Sequence, residues 1–181
     1  MSTQVYPLAM RIIHWLMAVL IISLLAVGIY MEGLADDAPN KYQIYGLHKS
    51  FGVIALVLIV ARIVVRLRNT VPALPSALSS LEKLGAEIGH KALYLLMVLV
   101  PLSGFVMSSA HPERYGVSLF GLKLPDLPPS ELWAGLAHQA HGITAWALVV
   151  VVVLHIAGAL KHRYMDKGEA DVLPRMLKGS S

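Results

Sequence analysis

Long apolar stretches over about 11–31, 47–67, 89–109 and 133–163 absorb most of the 181 residues. Each reaches the roughly 20 residues that a helix needs to cross the hydrocarbon of a bilayer. Backbone polar groups in lipid must bond within their own segment, so the spans are helices. The sequence therefore predicts an all-α integral membrane protein, a four-helix transmembrane bundle in a single domain. Composition agrees, with 56% hydrophobic and 14% charged residues, where a soluble domain carries about a quarter charged. The first stretch has no small-residue cleavage site after it and reads as a retained span.

The connections carry loop chemistry. Asp36, Asp37, Pro39 and Asn40 mark a loop between the first two spans. After Pro72 and Pro75, residues 76–89 suit a short interfacial helix with Ser80 as its cap. Pro101 sits inside the third span and predicts a kink, with neighbouring groups taking up the freed carbonyl. Residues 110–132 form the longest connection, with Leu119-Phe120-Gly121-Leu122 as an interfacial segment. The tail 164–181 is polar and is expected at the surface.

Basic residues set the orientation. Arg11, Arg62, Arg66, Arg68, Lys83, Lys91, Lys161, Arg163, Lys167, Arg175 and Lys178 flank one side, and only Lys41, Lys49, Arg114 and Lys123 flank the other. The positive-inside rule places both termini in the cytoplasm. The formal charge of +4 then reflects topology, and no nucleic-acid partner is expected.

Cysteine is absent, which excludes disulfides, zinc-thiolate sites, iron–sulfur clusters and thioether-linked haem. Histidine is where the chemistry lies. His14 and His155 fall well inside apolar spans, where an ionisable side chain is costly and calls for a function. His141 and His155 are fourteen residues apart, close to four whole turns. They share a helix face at depths roughly 21 Å apart. With the spans alternating in direction, His14 meets the level of His155, and His48 the level of His141. Two imidazoles facing each other in a bundle interior form a bis-axial site for haem iron. Zinc or copper fits less well, because neither pair has a nearby Cys, Asp or Glu as third ligand. His138, three residues before His141, and His111 read as surface residues.

Gly52, Gly142 and Gly158 lie beside these histidines. Clearance for a flat macrocycle and ordinary close packing of membrane helices account for them equally.

Several motifs combine over nearly the whole chain. They are Ile13-His14-Trp15, Leu47-His48-Lys49-Ser50-Phe51-Gly52, Arg62-Ile63-Val64-Val65-Arg66-Leu67, Gly89-His90-Lys91-Ala92-Leu93-Tyr94, Pro101-Leu102-Ser103-Gly104, and His141 with Leu154-His155 through Lys161-His162-Arg163-Tyr164. In this combination the chain resembles the bacterial cytochrome b561 family, in particular its small di-haem members with superoxide oxidase activity. The resemblance implies two non-covalent haem b groups held by His14, His48, His141 and His155, in a multi-pass protein of the bacterial inner membrane. It also implies ubiquinone as partner, with His90 and His162 at the quinone headgroup and in proton handling. His162 is seven residues past His155, close to two turns and on the same face. Arg62 is fourteen residues past His48 and Arg66 one turn further; arginine forks suit haem propionates. Lys49 is the basic residue nearest the outer site. There it suits a propionate or a small anion, and snorkelling to the interface explains it equally.

The leading functional reading is a superoxide:ubiquinone oxidoreductase that takes electrons from superoxide at the outer face. Against it, the outer segments set four basic residues against Glu32, Asp36, Asp37, Glu113, Asp126 and Glu131, a poor field for an anion unless Lys49 and Arg114 act locally. The alternative is an electron-transfer subunit that accepts electrons from a partner dehydrogenase or hydrogenase, for which the short loops offer little docking surface. A haem or metal transporter is the third, disfavoured by the paired histidines.

Overall fold

The computed structural model describes residues 5–113 and 116–177. Arg114 and Lys178, which enter the charge argument, lie outside them. Four long helices dominate: α1 (Leu8–Glu32), α2 (Lys41–Arg68), α3 (Ser80–Ser109) and α4 (Glu131–Lys161). All four are long and apolar enough to cross a membrane. The packing is inside-out by soluble standards. Val19, Val57, Ile143 and Leu154 are each more than 60% exposed, as residues facing lipid must be. Small and aliphatic residues such as Ala55, Ile59, Ala134 and Leu148 are buried between the helices. The most extensive helix contact is α3 on α4, followed by α1 on α2 and α2 on α3.

The region 76–89 is not a separate interfacial helix. It is continuous with the third span, and the cap is Ser79 rather than Ser80. Ser79 Oγ accepts from the Glu82 amide, and the Ser79 amide donates to the Glu82 carboxylate at 2.9 Å. This reciprocal capping box satisfies two amides that a helix start leaves open, and lets the helix begin well before the apolar run. The helix also continues through Pro101. Proline removes one amide donor there, and side chains crowd the carbonyls around it. Ser103 Oγ lies 2.7 Å from Leu99 O and 2.9 Å from Val100 O.

The segment expected as interfacial is the turn of a small hairpin, β1 (Ser118–Leu119) with β2 (Leu122–Lys123). Phe120 and Gly121, the two turn residues, have φ of 48° and 96°, the mirror-image turn that suits a tight hairpin. The left-handed region is costly for phenylalanine. Contacts to α2 hold it there: the Phe120 amide donates to Ser50 Oγ at 3.1 Å, and the ring meets Phe51 edge-on at 5.3 Å.

At the opposite end the described part of the tail folds back onto the bundle. A π-helical turn (His162–Asp166), a 3-10 turn (Gly168–Ala170) and α5 (Pro174–Leu177) follow α4. The Tyr6 amide donates to Arg175 O, Trp15 Nε1 to Met176 O, and Arg175 to Ala73 O. The N-terminal segment, the α2–α3 connection and the tail thus share one end, called here the inner end. Lys41, beginning α2 at the outer end, pairs with Asp36 at 2.6 Å and holds that carboxyl below its ordinary range.

Candidate functional site: two layers of side chains in the bundle

Each helix presents two interior positions fourteen residues apart: Gly28 and His14 on α1, His48 and Arg62 on α2, Gly104 and His90 on α3, His141 and His155 on α4. Fourteen residues make nearly four turns, roughly 21 Å of rise. The eight positions therefore form two layers, each with one residue per helix.

The outer layer holds His48 and His141, whose ring centroids lie 6.4 Å apart at 87°. Two glycines flank them. A Cβ at Gly104 would stand 3.0 Å from His141 Cε1, and one at Gly28 would stand 3.6 Å from His48 Cε1. His141 Nδ1 lies 2.9 Å from Val100 O, beside Pro101. The carbonyl accepts, so Nδ1 carries the proton and Nε2 keeps its lone pair. His48 Nδ1 is buried without a hydrogen-bond partner, a state that costs free energy.

The inner layer holds His14 and His155, with centroids 6.2 Å apart. It is more polar than the outer one. His90 meets His155 at 5.6 Å. Arg62 Nη2 donates to His14 Nδ1 at 3.0 Å, and Arg62 Nε donates to Tyr94 Oη at 3.2 Å. Arg66 reaches the same Tyr94 ring, 5.5 Å from its centroid.

Two imidazoles that each sit about 2 Å from a shared metal ion have centroids roughly 6 Å apart. Both pairs have this spacing. In the outer layer the donors also fit: His141 has its second nitrogen tied to a carbonyl, the usual support of a ligating histidine, and the gap is kept clear by glycine. The inner layer fits on one condition. Arginine is always a donor, so His14 Nδ1 accepts and the ring proton sits on Nε2. Binding iron through Nε2 requires Arg62 to leave Nδ1.

The remaining expected residues fall as follows. Lys49 Nζ donates to Gly116 O at 3.1 Å, pinning the loop that bears the hairpin. His162 does not meet His90 among the described residues; its Nδ1 bonds Asp166 at 2.6 Å. Added Cβ atoms at Gly52, Gly142 and Gly158 would meet nothing within 4 Å, so no protein contact requires glycine there. His111 and His138 line an outer cavity of about 490 Å³ with Glu113 and Glu131. Among the described residues, the one group of three carboxylate or imidazole ligand atoms close enough to share an ion is Glu82, His162 and Asp166. Lys161 Nζ already lies between its carboxylates, at 2.6 and 2.7 Å.

Four apolar helices enclosing paired imidazoles at two depths define a membrane-embedded electron-transfer cytochrome. The family model for prokaryotic cytochrome b561 matches residues 5–179. The chain belongs to that family, whose members bind b-type haem and are associated with quinones in the membrane. It is similar to cytochrome b561 homolog 2 of Escherichia coli, at 34% identity over 93% of this chain and 88% of the relative. It is also similar to a probable superoxide oxidase, CybB, of Yersinia pestis, at 30% identity over 86% of each chain. Cytochrome b561 homolog 1 of Escherichia coli is 22% identical over 92% of this chain and 90% of the relative. Family and spans together make the chain a multi-pass protein of the inner membrane.

Proposed function

We propose that the chain is a di-haem superoxide:ubiquinone oxidoreductase, oriented with its inner end in the cytoplasm. The observation that carries this reading is the pair of imidazole pairs, 6.2 and 6.4 Å across, one in each layer. His48 and His141 hold the outer haem, and His14 and His155 the inner one. Haem b, when bound, supplies a one-electron carrier at each depth. The protein's own part is placement. Val100 O orients His141, Gly104 and Gly28 keep the outer gap open, and Arg62 with Arg66 offers guanidinium groups for propionates once Arg62 turns from His14. Gly52, Gly142 and Gly158 leave room for the macrocycle edges.

The balanced reaction takes two superoxide anions, one ubiquinone and two protons to two dioxygen molecules and one ubiquinol. Protons enter at the inner end, where His162 donates to the headgroup and His90, against His155, takes part in proton handling. At the outer end Lys49 lies beside His48 and provides local positive charge. The name of the Yersinia pestis relative supports superoxide as the donor. The acidic outer segments support the second reading, a cytochrome subunit reduced by a docked dehydrogenase.

Stopped-flow mixing of the purified, haem-loaded protein with superoxide and a soluble ubiquinone analogue tests this. The haem absorption should reduce within milliseconds and reoxidise when the quinone is added. No haem reduction by superoxide, together with reduction by a co-purifying protein, would replace the first reading with the second.

A further inference from the structure

A four-residue chain of charge at the inner end lies outside both layers. Lys161 Nζ bridges Glu82 Oε1 at 2.6 Å and Asp166 Oδ2 at 2.7 Å, and the same Asp166 oxygen lies 2.6 Å from His162 Nδ1. It joins the start of α3 to the end of α4. Its anchor is rigid, because Glu82 is also the acidic half of the capping box with Ser79. Its other end depends on an unusual backbone. At His162 the helix widens from α to π, with the Lys167 amide donating to His162 O at 3.0 Å, and Lys167 at φ 54° ends it. Single π turns are rare and are frequent at functional sites.

Stability alone gives this arrangement little reason to exist. Ion pairs this exposed add little to stability. Its chemical effect on His162 is larger. The histidine side chain is 13% exposed and Asp166 30%, so the imidazole is sheltered while its carboxylate partner still touches water. Nδ1–H donating to the carboxylate fixes the tautomer and turns Nε2 into the working nitrogen.

We infer that Asp166 is the positioning residue of quinone reduction: it holds His162 so that Nε2–H delivers protons to the quinone oxygens, with Lys161 and Glu82 holding Asp166 in place. This rests on the reading of His162 as the proton donor. In the step, the quinone gains two electrons from the one-electron donor chain and two protons, and each C=O becomes C–OH. Each proton leaves an imidazolium Nε2–H, and water at the inner end restores it while Asp166 stays ionised. The charged groups facing His162 are Asp166 and Lys161 from its own segment and Glu82 from α3.

The test uses full-length, haem-loaded variants with a ubiquinone analogue, reading kcat, KM and haem spectrum. Asp166→Asn should keep the haem spectrum and lower kcat about 10- to 100-fold with little change in KM. Asp166→Glu should recover much of kcat. Lys161→Gln should also lower kcat with KM unchanged, since Asp166 then loses the ammonium that anchors it. That loss is readable even where Asp166→Asn fails to fold. Wild-type kcat in Asp166→Asn, or in Lys161→Gln, would overturn the inference provided His162→Ala is slow. A fast His162→Ala would instead remove the quinone-site reading beneath it.

Discussion

His141 has almost no freedom. Val100 O holds its Nδ1 at 2.9 Å, and Gly104 lies so close that an added Cβ would stand 3.1 Å from the same nitrogen. Gly104→Ala requires the His141 ring to give by a few tenths of an ångström, and with Val100 O holding that ring the strain should be about 1–3 kcal/mol. Haem affinity at the outer layer should fall roughly 5- to 100-fold. On the proposed di-haem reading, the purified variant is expected to carry one haem fewer than the parent, by pyridine haemochrome assay, and to match the residual spectrum of His48→Ala. Gly28→Ala, with its nearest atom at an ordinary 3.6 Å, should retain both. Full haem content in Gly104→Ala would show that His141 is not held by this contact. The histidines were legible in sequence because an ionisable group in lipid demands a reason, and their fourteen-residue spacing supplied one. Gly28 and Gly104 demand nothing alone. Yet they stand fourteen residues from His14 and His90, so the period that exposed the histidines also marked the glycines. Arg62's bond to His14 was hidden, since register gives depth and face but not which neighbour a long side chain reaches.

Among the elements, the hairpin shows how a two-residue turn against the rules is kept. Ser50 is 3% exposed and lies on α2 two residues past His48. Its hydroxyl accepts from the Phe120 amide and stands 2.8 Å from Ser118 O and 3.0 Å from Gly46 O. One hydroxyl has one proton, so Ser118 and Gly46 compete for it. Ser50→Ala leaves the strained Phe120 without its tether, and each lost bond costs about 0.5–1.5 kcal/mol. Amide hydrogen exchange over residues 117–124 should speed up roughly 5- to 30-fold with haem content unchanged. Exchange at the parent rate would assign the restraint to the Phe51–Phe120 contact and Lys49. Neither the hairpin nor the start of α3 was plain from sequence. The strands are two residues each, too short for periodicity to register, and Phe at positive φ is a choice no propensity predicts. The capping box at Ser79 was missed because Ser76, Ser79 and Ser80 all suit a cap, and only the reach of Glu82 separates them.

Across the whole molecule, hydrogen bonds from Tyr6, Trp15 and Arg175 bring the first residues, the α2–α3 connection and the tail to the same end. Most of the lysines and arginines that flank the spans belong to these segments. Translocating them would cost far more than translocating the loops at the other end, so the inner end should face the cytoplasm. That orientation makes the rest of the proposal consistent. Superoxide formed outside would meet the His48–His141 layer, and the Asp166–His162 pair would draw protons from the cytoplasm. A chain without cysteine makes the test clean. In intact spheroplasts a membrane-impermeant maleimide should label Asp37→Cys, in the α1–α2 loop, and should leave Asn69→Cys, at the end of α2, unlabelled until the membrane is opened. The reverse pattern would turn the bundle over, place proton uptake on the outer face, and make Lys49 a cytoplasmic residue with no role in meeting an external anion.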